Sequence, residues 1–141
     1  MKLQKFRLII LLCFILFSVT NLTAQANFDE AYVEFRTAVY NSTKSTINEI
    51  LSLYSKTVSL IDKNNLIESY IKNSQCDYLM GMYHIDILEN DKAIQYFEKS
   101  LEWANKAIEI EPTAQGYLAY AETLAQICPL KSLRKCEQMF K

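Results

Sequence analysis

The chain has 141 residues, with 15 lysines and arginines against 16 aspartates and glutamates, one histidine, four cysteines, and only two glycines and two prolines. So few breakers and no strand-type alternation exclude a β fold, and apolar residues recurring at three and four specify an all-α chain. A balanced charge excludes a nucleic-acid partner, whose phosphates demand a basic surface.

The N-terminus reads as a targeting segment. MKLQKFR carries Lys2, Lys5 and Arg7 and no acid, and LIILLCFILFSV is a 12-residue apolar run over residues 8–19. TNLTAQA follows, with Ala24 and Ala26 in an A-x-A arrangement. This is the layout of a secretory signal peptide spanning residues 1–26. The run is too short for a membrane anchor, which needs about 20 apolar residues. Membrane contact is then transient, through the leader alone. Cleavage leaves a single all-helical domain, residues 27–141, with 12 basic and 16 acidic residues. The leader resembles those of exported proteins of Gram-negative bacteria, which implies a periplasmic or secreted location. Asn41-Ser42-Thr43 is a glycosylation sequon and matters only in a eukaryotic secretory pathway.

The helices follow in order. NFDEAYVEFRTAVY forms the first, with Asn27 as N-cap. TINEILSLYSKTVSLI forms the second, capped by Ser45. Asn65 with Glu68 makes a capping box for a third, which runs to about Leu88. Asn90 caps a fourth that runs uninterrupted to about Glu111. Pro112 and Thr113 end it and start a fifth, to about Cys128, and Pro129 turns the chain into a short last helix. Loops this short make neighbouring helices antiparallel. The expected architecture is a set of antiparallel helix pairs, either a short α-solenoid or a small helical bundle.

Residues 77–112 carry a recognisable pattern. Met80 and Gly81 are followed twelve residues after Gly81 by Ala93, then Phe97 and Ser100. Small residues let two helices approach, and the aromatic fills the space beside them. The stretch resembles one tetratricopeptide repeat with a lengthened second helix. Asp77 stands where the motif has Trp, His84 where it has Tyr, and the closing proline is Pro112 where the ordinary spacing would put it at Asn105. The extra seven residues turn the helix face by only about 20°. Ala104, Ala107 and Ile108 therefore continue the seam of Ala93, Phe97 and Leu101. Phe97, Leu101, Ala104 and Ile108 are expected to face the third helix, with Gly81 at the closest approach. Residues 28–62 form another helix pair without the motif, and residues 113–127 open a further one, with Leu118 and Ala121 in place.

A second stripe, Tyr96, Trp103 and Ile110, has heptad spacing on the same helix. One reading places this helix between its third and fifth neighbours. The other makes Tyr96 and Trp103, with Tyr117 and Tyr120, the lining of a groove for a peptide or helix. The resemblance implies a non-enzymatic adaptor that holds another envelope or secreted protein. A helical carrier for an apolar ligand or lipid is the alternative. No catalytic, metal or cofactor constellation stands out. His84 is the single histidine and reads as a packing residue, with Asp86 turned away from it, and Asp86, Glu89 and Asp91 read as helix-end acids. Cys76 reads as buried and inert. Cys128 and Cys136 can pair only if the chain turns back at Pro129, since a continuous helix separates them by about 12 Å.

Overall fold

The computed structural model describes residues 25–41 and 45–131. The leader up to residue 24, most of the sequon, Cys136 and the expected last helix lie outside these. Five helices account for nearly all of the described chain. They are α1 over residues 25–40, α2 Ile47–Ser59, α3 Leu66–Asp86, α4 Asn90–Ile110 and α5 Ala114–Leu130. There is no strand among the described residues. The molecule is a small all-helical bundle.

Side-chain caps set several boundaries. Thr46, not Ser45, caps α2, its hydroxyl accepting from the Glu49 amide at 3.3 Å. The carboxamide of Asn65 accepts from the Glu68 amide at 3.3 Å and donates to the Glu68 carboxylate at 3.2 Å. Thr113 caps α5 through the Gly116 amide at 3.1 Å. The expected caps Asn27 and Asn90 do not act. Helix α1 is already running at Gln25, and Asn90 is the first helical residue of α4, after Glu89. Pro129 does not turn the chain: α5 continues through it to Leu130. A proline this close to a helix end forfeits only one backbone hydrogen bond, which the last turn tolerates better than a helix interior would.

Helix α3 is the centre of the molecule. Two apolar clusters meet on it. The first joins Phe28, Phe35 and Val39 of α1, Ile50 of α2, Ile61, and Cys76, Leu79, Met80 and Tyr83 of α3. The second joins Ala93, Phe97 and Leu101 of α4 with Leu124 and Ile127 of α5. Tyr78 and Met82 of α3 pack against both. Buried positions occur all round α3, and Lys72, Ser74, Asp77 and His84 are among them. A helix with neighbours on every side cannot be read as amphipathic.

The α3–α4 seam is tight. A Cβ added at Gly81 would lie 2.5 Å from Cε1 of the fully buried Phe97 ring. Ala93, Ala104 and Ala107 are completely buried along the same helix. Ile108, at the end of this face of α4, meets α5, where a Cβ on Gly116 would lie 3.0 Å from its Cγ1.

Candidate functional site

Polar side chains buried between helices come first. Ser74 of α3, Ser100 of α4 and Thr123 of α5 form a chain of hydroxyls, 3.0 Å between the first two and 2.8 Å between the last two. The Ser74 carbonyl lies 2.9 Å from Ser100 Oγ and the Ala119 carbonyl 2.8 Å from Thr123 Oγ1, so the one proton of each hydroxyl is shared between a carbonyl and the hydroxyl chain. All three are buried, so the network cross-links three helices at one level.

The carboxylate of Asp77 is the second buried polar centre. It accepts from Tyr54 Oη of α2 at 2.8 Å and from Trp103 Nε1 of α4 at 3.0 Å. Burial raises its pKa above the usual carboxylate value, while the two donors and the nearby Lys99 ammonium oppose that rise. Trp103 also stacks on Tyr70, ring centroids 5.6 Å apart, under the Lys106 ammonium at 4.4 Å. One heptad along, Tyr96 lies flat on His84 at 5.3 Å and edge-on to Tyr54 at 6.3 Å. Tyr70, Asp77 and His84 thus form a heptad stripe on α3 that receives Trp103 and Tyr96 of α4 running the other way.

This settles where the four sequence-derived candidates lie. Tyr96 and Trp103 are half-buried in the α2–α3–α4 seam. Tyr120 packs on the cluster between α4 and α5. Tyr117 is 54% exposed on α5. Tyr96 and Tyr120 belong to different apolar clusters, and the four do not converge on one surface.

His84 is buried and its Nδ1 lies 2.8 Å from Glu89 Oε2. Burial lowers its pKa, and the hydrogen bond to Glu89 works against that. Glu89 is thereby drawn away from capping: α4 has no side-chain cap hydrogen bond. Cys76 is a buried thiol whose pKa burial pushes up to about 12, so it stays a neutral, inert packing group. No group of three or more metal-ligating side chains occurs among the described residues.

A groove lies elsewhere, between the odd-numbered helices. Its outer recess, about 440 Å³, is lined by Gln25, Phe28 and Asp29 of α1, Lys72 and Gln75 of α3, and Leu118 of α5, among others. Its inner recess, about 190 Å³, is lined by Tyr32, Arg36 and Tyr40 of α1, Gln75 and Tyr78 of α3, and Glu122 of α5, among others. The two share Tyr32, Gln75, Ala119 and Glu122, so they form one trough. Buried Ser74 and Leu79 place α3 at the floor, with α1 and α5 as walls.

The sequence produces this trough by simple spacing. Tyr32, Arg36 and Tyr40 are four apart, so they form a stripe beside the core stripe Phe28, Ala31, Phe35 and Val39. Gln115, Leu118, Ala119 and Glu122 repeat at three and four on α5 in the same way. The outer end is fixed by Lys72, which pairs with Glu68 at 2.8 Å, donates to Gln25 and lies over the Phe28 ring at 4.4 Å. Phe28 in turn stacks on Tyr32 at 5.8 Å. Burial raises the Tyr32 and Tyr78 pKa values, so both hydroxyls stay protonated and available as donors.

No family model, no curated protein and no solved structure matches the chain. No helix among the described residues is long and apolar enough to cross a membrane.

Proposed function

We propose that the protein is a non-enzymatic helical adaptor, similar to tetratricopeptide repeats, that holds a segment of another protein in the trough between α1, α3 and α5. The observation that carries this reading is the lining. Half-buried tyrosines offer large, rigid contact area at low entropic cost, and Gln75 and Gln115 offer both a donor and an acceptor to a peptide backbone. The trough is open and runs along three helices, a shape that suits an extended chain. An apolar carrier is less well supported, because Arg36, Glu122, Gln75 and Ser74 line the inner recess where a lipid would need hydrocarbon. The signal-peptide-like N-terminus supports export, so the partner of this reading is another envelope or secreted protein.

Photo-crosslinking in the native compartment tests it. A benzoylphenylalanine at position 40 or 118, both at the trough, is expected to yield protein adducts identifiable by mass spectrometry. The same probe at position 102, on the outer face of α4, is expected to yield none. Equal adducts from all three positions, or lipid co-purifying with no protein adduct, would refute the adaptor.

A further inference from the structure

The inner recess contains two formal charges, Arg36 on the α1 wall and Glu122 on the α5 wall. Among the described residues neither takes part in an ion pair. The rest of the trough differs. In the outer recess Lys72 and Glu68 pair with each other, and Asp29, which accepts a hydrogen bond from neutral Gln25 at 3.0 Å, adds a further negative charge at the end of the trough away from Arg36. The tyrosines, Gln75, Ser74 and Thr123 between the two walls are neutral. The inner recess therefore presents one positive charge on one wall and one negative charge on the other, neither of them ion-paired among the described residues. Both are on side chains that remain solvent-exposed, and both lie close enough to Tyr32 to perturb its hydroxyl electrostatically.

We infer that the trough selects an extended protein segment carrying an acidic and a basic side chain in a fixed order, the acid meeting Arg36 and the base meeting Glu122. This rests on the adaptor reading and specifies its partner. An occupant with two acids or two bases leaves one wall facing a like charge, and a like-charge juxtaposition rejects wrong partners as effectively as an opposite-charge one orients the right partner. Tyr32, Tyr40 and Tyr78 line the same recess and accommodate the aliphatic stem of a lysine or arginine, whose cationic head can also lie over an aromatic face. The opposed charges set direction: a segment lying the other way round puts its acid against Glu122 and its base against Arg36.

A random 12-residue peptide library displayed on phage is the probe, selected on the purified protein and on Arg36→Glu, Glu122→Lys and the double swap R36E/E122K. The wild type is expected to enrich peptides with one acid and one base at constant order and spacing. Arg36→Glu should enrich two bases, Glu122→Lys two acids, and the double swap the reversed order. For a labelled wild-type-selected peptide, anisotropy should show each single reversal weakening binding at least tenfold. The double swap should recover that loss only with the order-reversed peptide. Both positions are on exposed stretches, and unchanged melts of the variants verify the fold. Enriched sequences whose charge pattern ignores all three variants would sink this inference while leaving the adaptor intact. Failure to enrich any peptide, together with absent crosslinks at positions 40 and 118, would sink both. Free lysine or glutamate displacing the labelled peptide at equal concentration would also overturn it, since the recess would then be reading single amino acids.

Discussion

Asp77 shows how one side chain is fixed by chemistry that its neighbours in sequence do not reveal. Its two oxygens face two donors of different kinds, the Tyr54 hydroxyl and the Trp103 indole. An indole N–H can only donate, whereas a tyrosine hydroxyl can turn to accept. Asp77→Asn is therefore expected to be tolerated within about 1 kcal/mol, its oxygen toward Trp103 and its amide toward Tyr54. Asp77→Ala strands the indole and is expected to cost about 2–4 kcal/mol from the unmet donor and the small cavity together. Urea unfolding of the two variants checks the order. At the turn after α3, Leu88 holds φ 61° and is 87% exposed. Its amide donates to the Ile85 carbonyl at 2.9 Å, and the Glu89 amide donates to the His84 carbonyl at 2.8 Å. That is a Schellman motif with leucine where glycine is usual. Leu88→Gly is expected to raise stability by about 0.5–1 kcal/mol in the same measurement, the left-handed strain relieved outweighing the added freedom of the unfolded chain. His84 gives the pH dependence. Its folded-state pKa lies below 6.5 because burial disfavours the imidazolium. The unfolded chain thus takes up the proton first, and stability falls as pH drops below about 6.5. Glu89 and Lys92 are the charged groups acting on the ring. Asp77, whose pKa is raised, works in the opposite sense at lower pH, gaining stability as it protonates. In His84→Gln the loss between pH 7 and 5 is expected to shrink, read as a flatter urea midpoint against pH. A midpoint curve identical to that of the parent chain would rule His84 out as its source.

At the scale of the elements, the α3–α4 pairing depends on a missing side chain. Gly81 is the point where α3 admits the Phe97 ring, and three atoms of that ring lie 2.5–2.8 Å from where a Cβ would stand. Phe97 is fully buried, packed in the cluster of α4 and α5. Gly81→Ala gains helix propensity of roughly 1 kcal/mol but forces two packed helices apart, a change that costs about 1–3 kcal/mol and often more. A net loss of stability is expected, and Phe97→Leu in the same chain should recover part of it. Thermal melts of the single and double variants decide this, and a stabilised Gly81→Ala would mean that the close approach has no energetic weight. The spacing of Gly81, Ala93 and Phe97 was legible because close helix contact requires small residues. Of the two readings of the Tyr96 and Trp103 stripe, packing against a neighbouring helix and lining a groove, the contacts with α3 favour the first. Periodicity locates a stripe but does not say whether a neighbour covers it, and α3 offers Tyr70, Asp77 and His84 to cover this one. The real trough was also written in spacings of four, Tyr32, Arg36 and Tyr40, but its other wall lies more than 70 residues away on α5. No local signal joins the two.

For the molecule as a whole, the central position of α3 predicts a gradient of local stability. Its backbone is shielded by α1, α2, α4 and α5, and its capped N-terminus and Schellman end leave few exposed carbonyls or amides. Amides in the middle of α3 are expected to exchange slowest, and those on the outer faces of α1 and α2 faster, in hydrogen-exchange mass spectrometry. Uniform protection across all five helices would contradict that hierarchy. The residues by themselves determined the helical class, the number of helices between residues 25 and 130, and most of their ends to within a residue or two. Those features depend on local causes: spacing at three and four, capping hydroxyls and carboxamides, and the scarcity of glycine and proline. Only the tertiary structure decided which apolar stripe meets which helix, that Asp77 is buried between Tyr54 and Trp103, that Glu89 is the partner of His84, and that α1 and α5 face each other across α3. These depend on contacts between residues far apart in the chain, and in a helix buried on every side the polar positions no longer mark the surface.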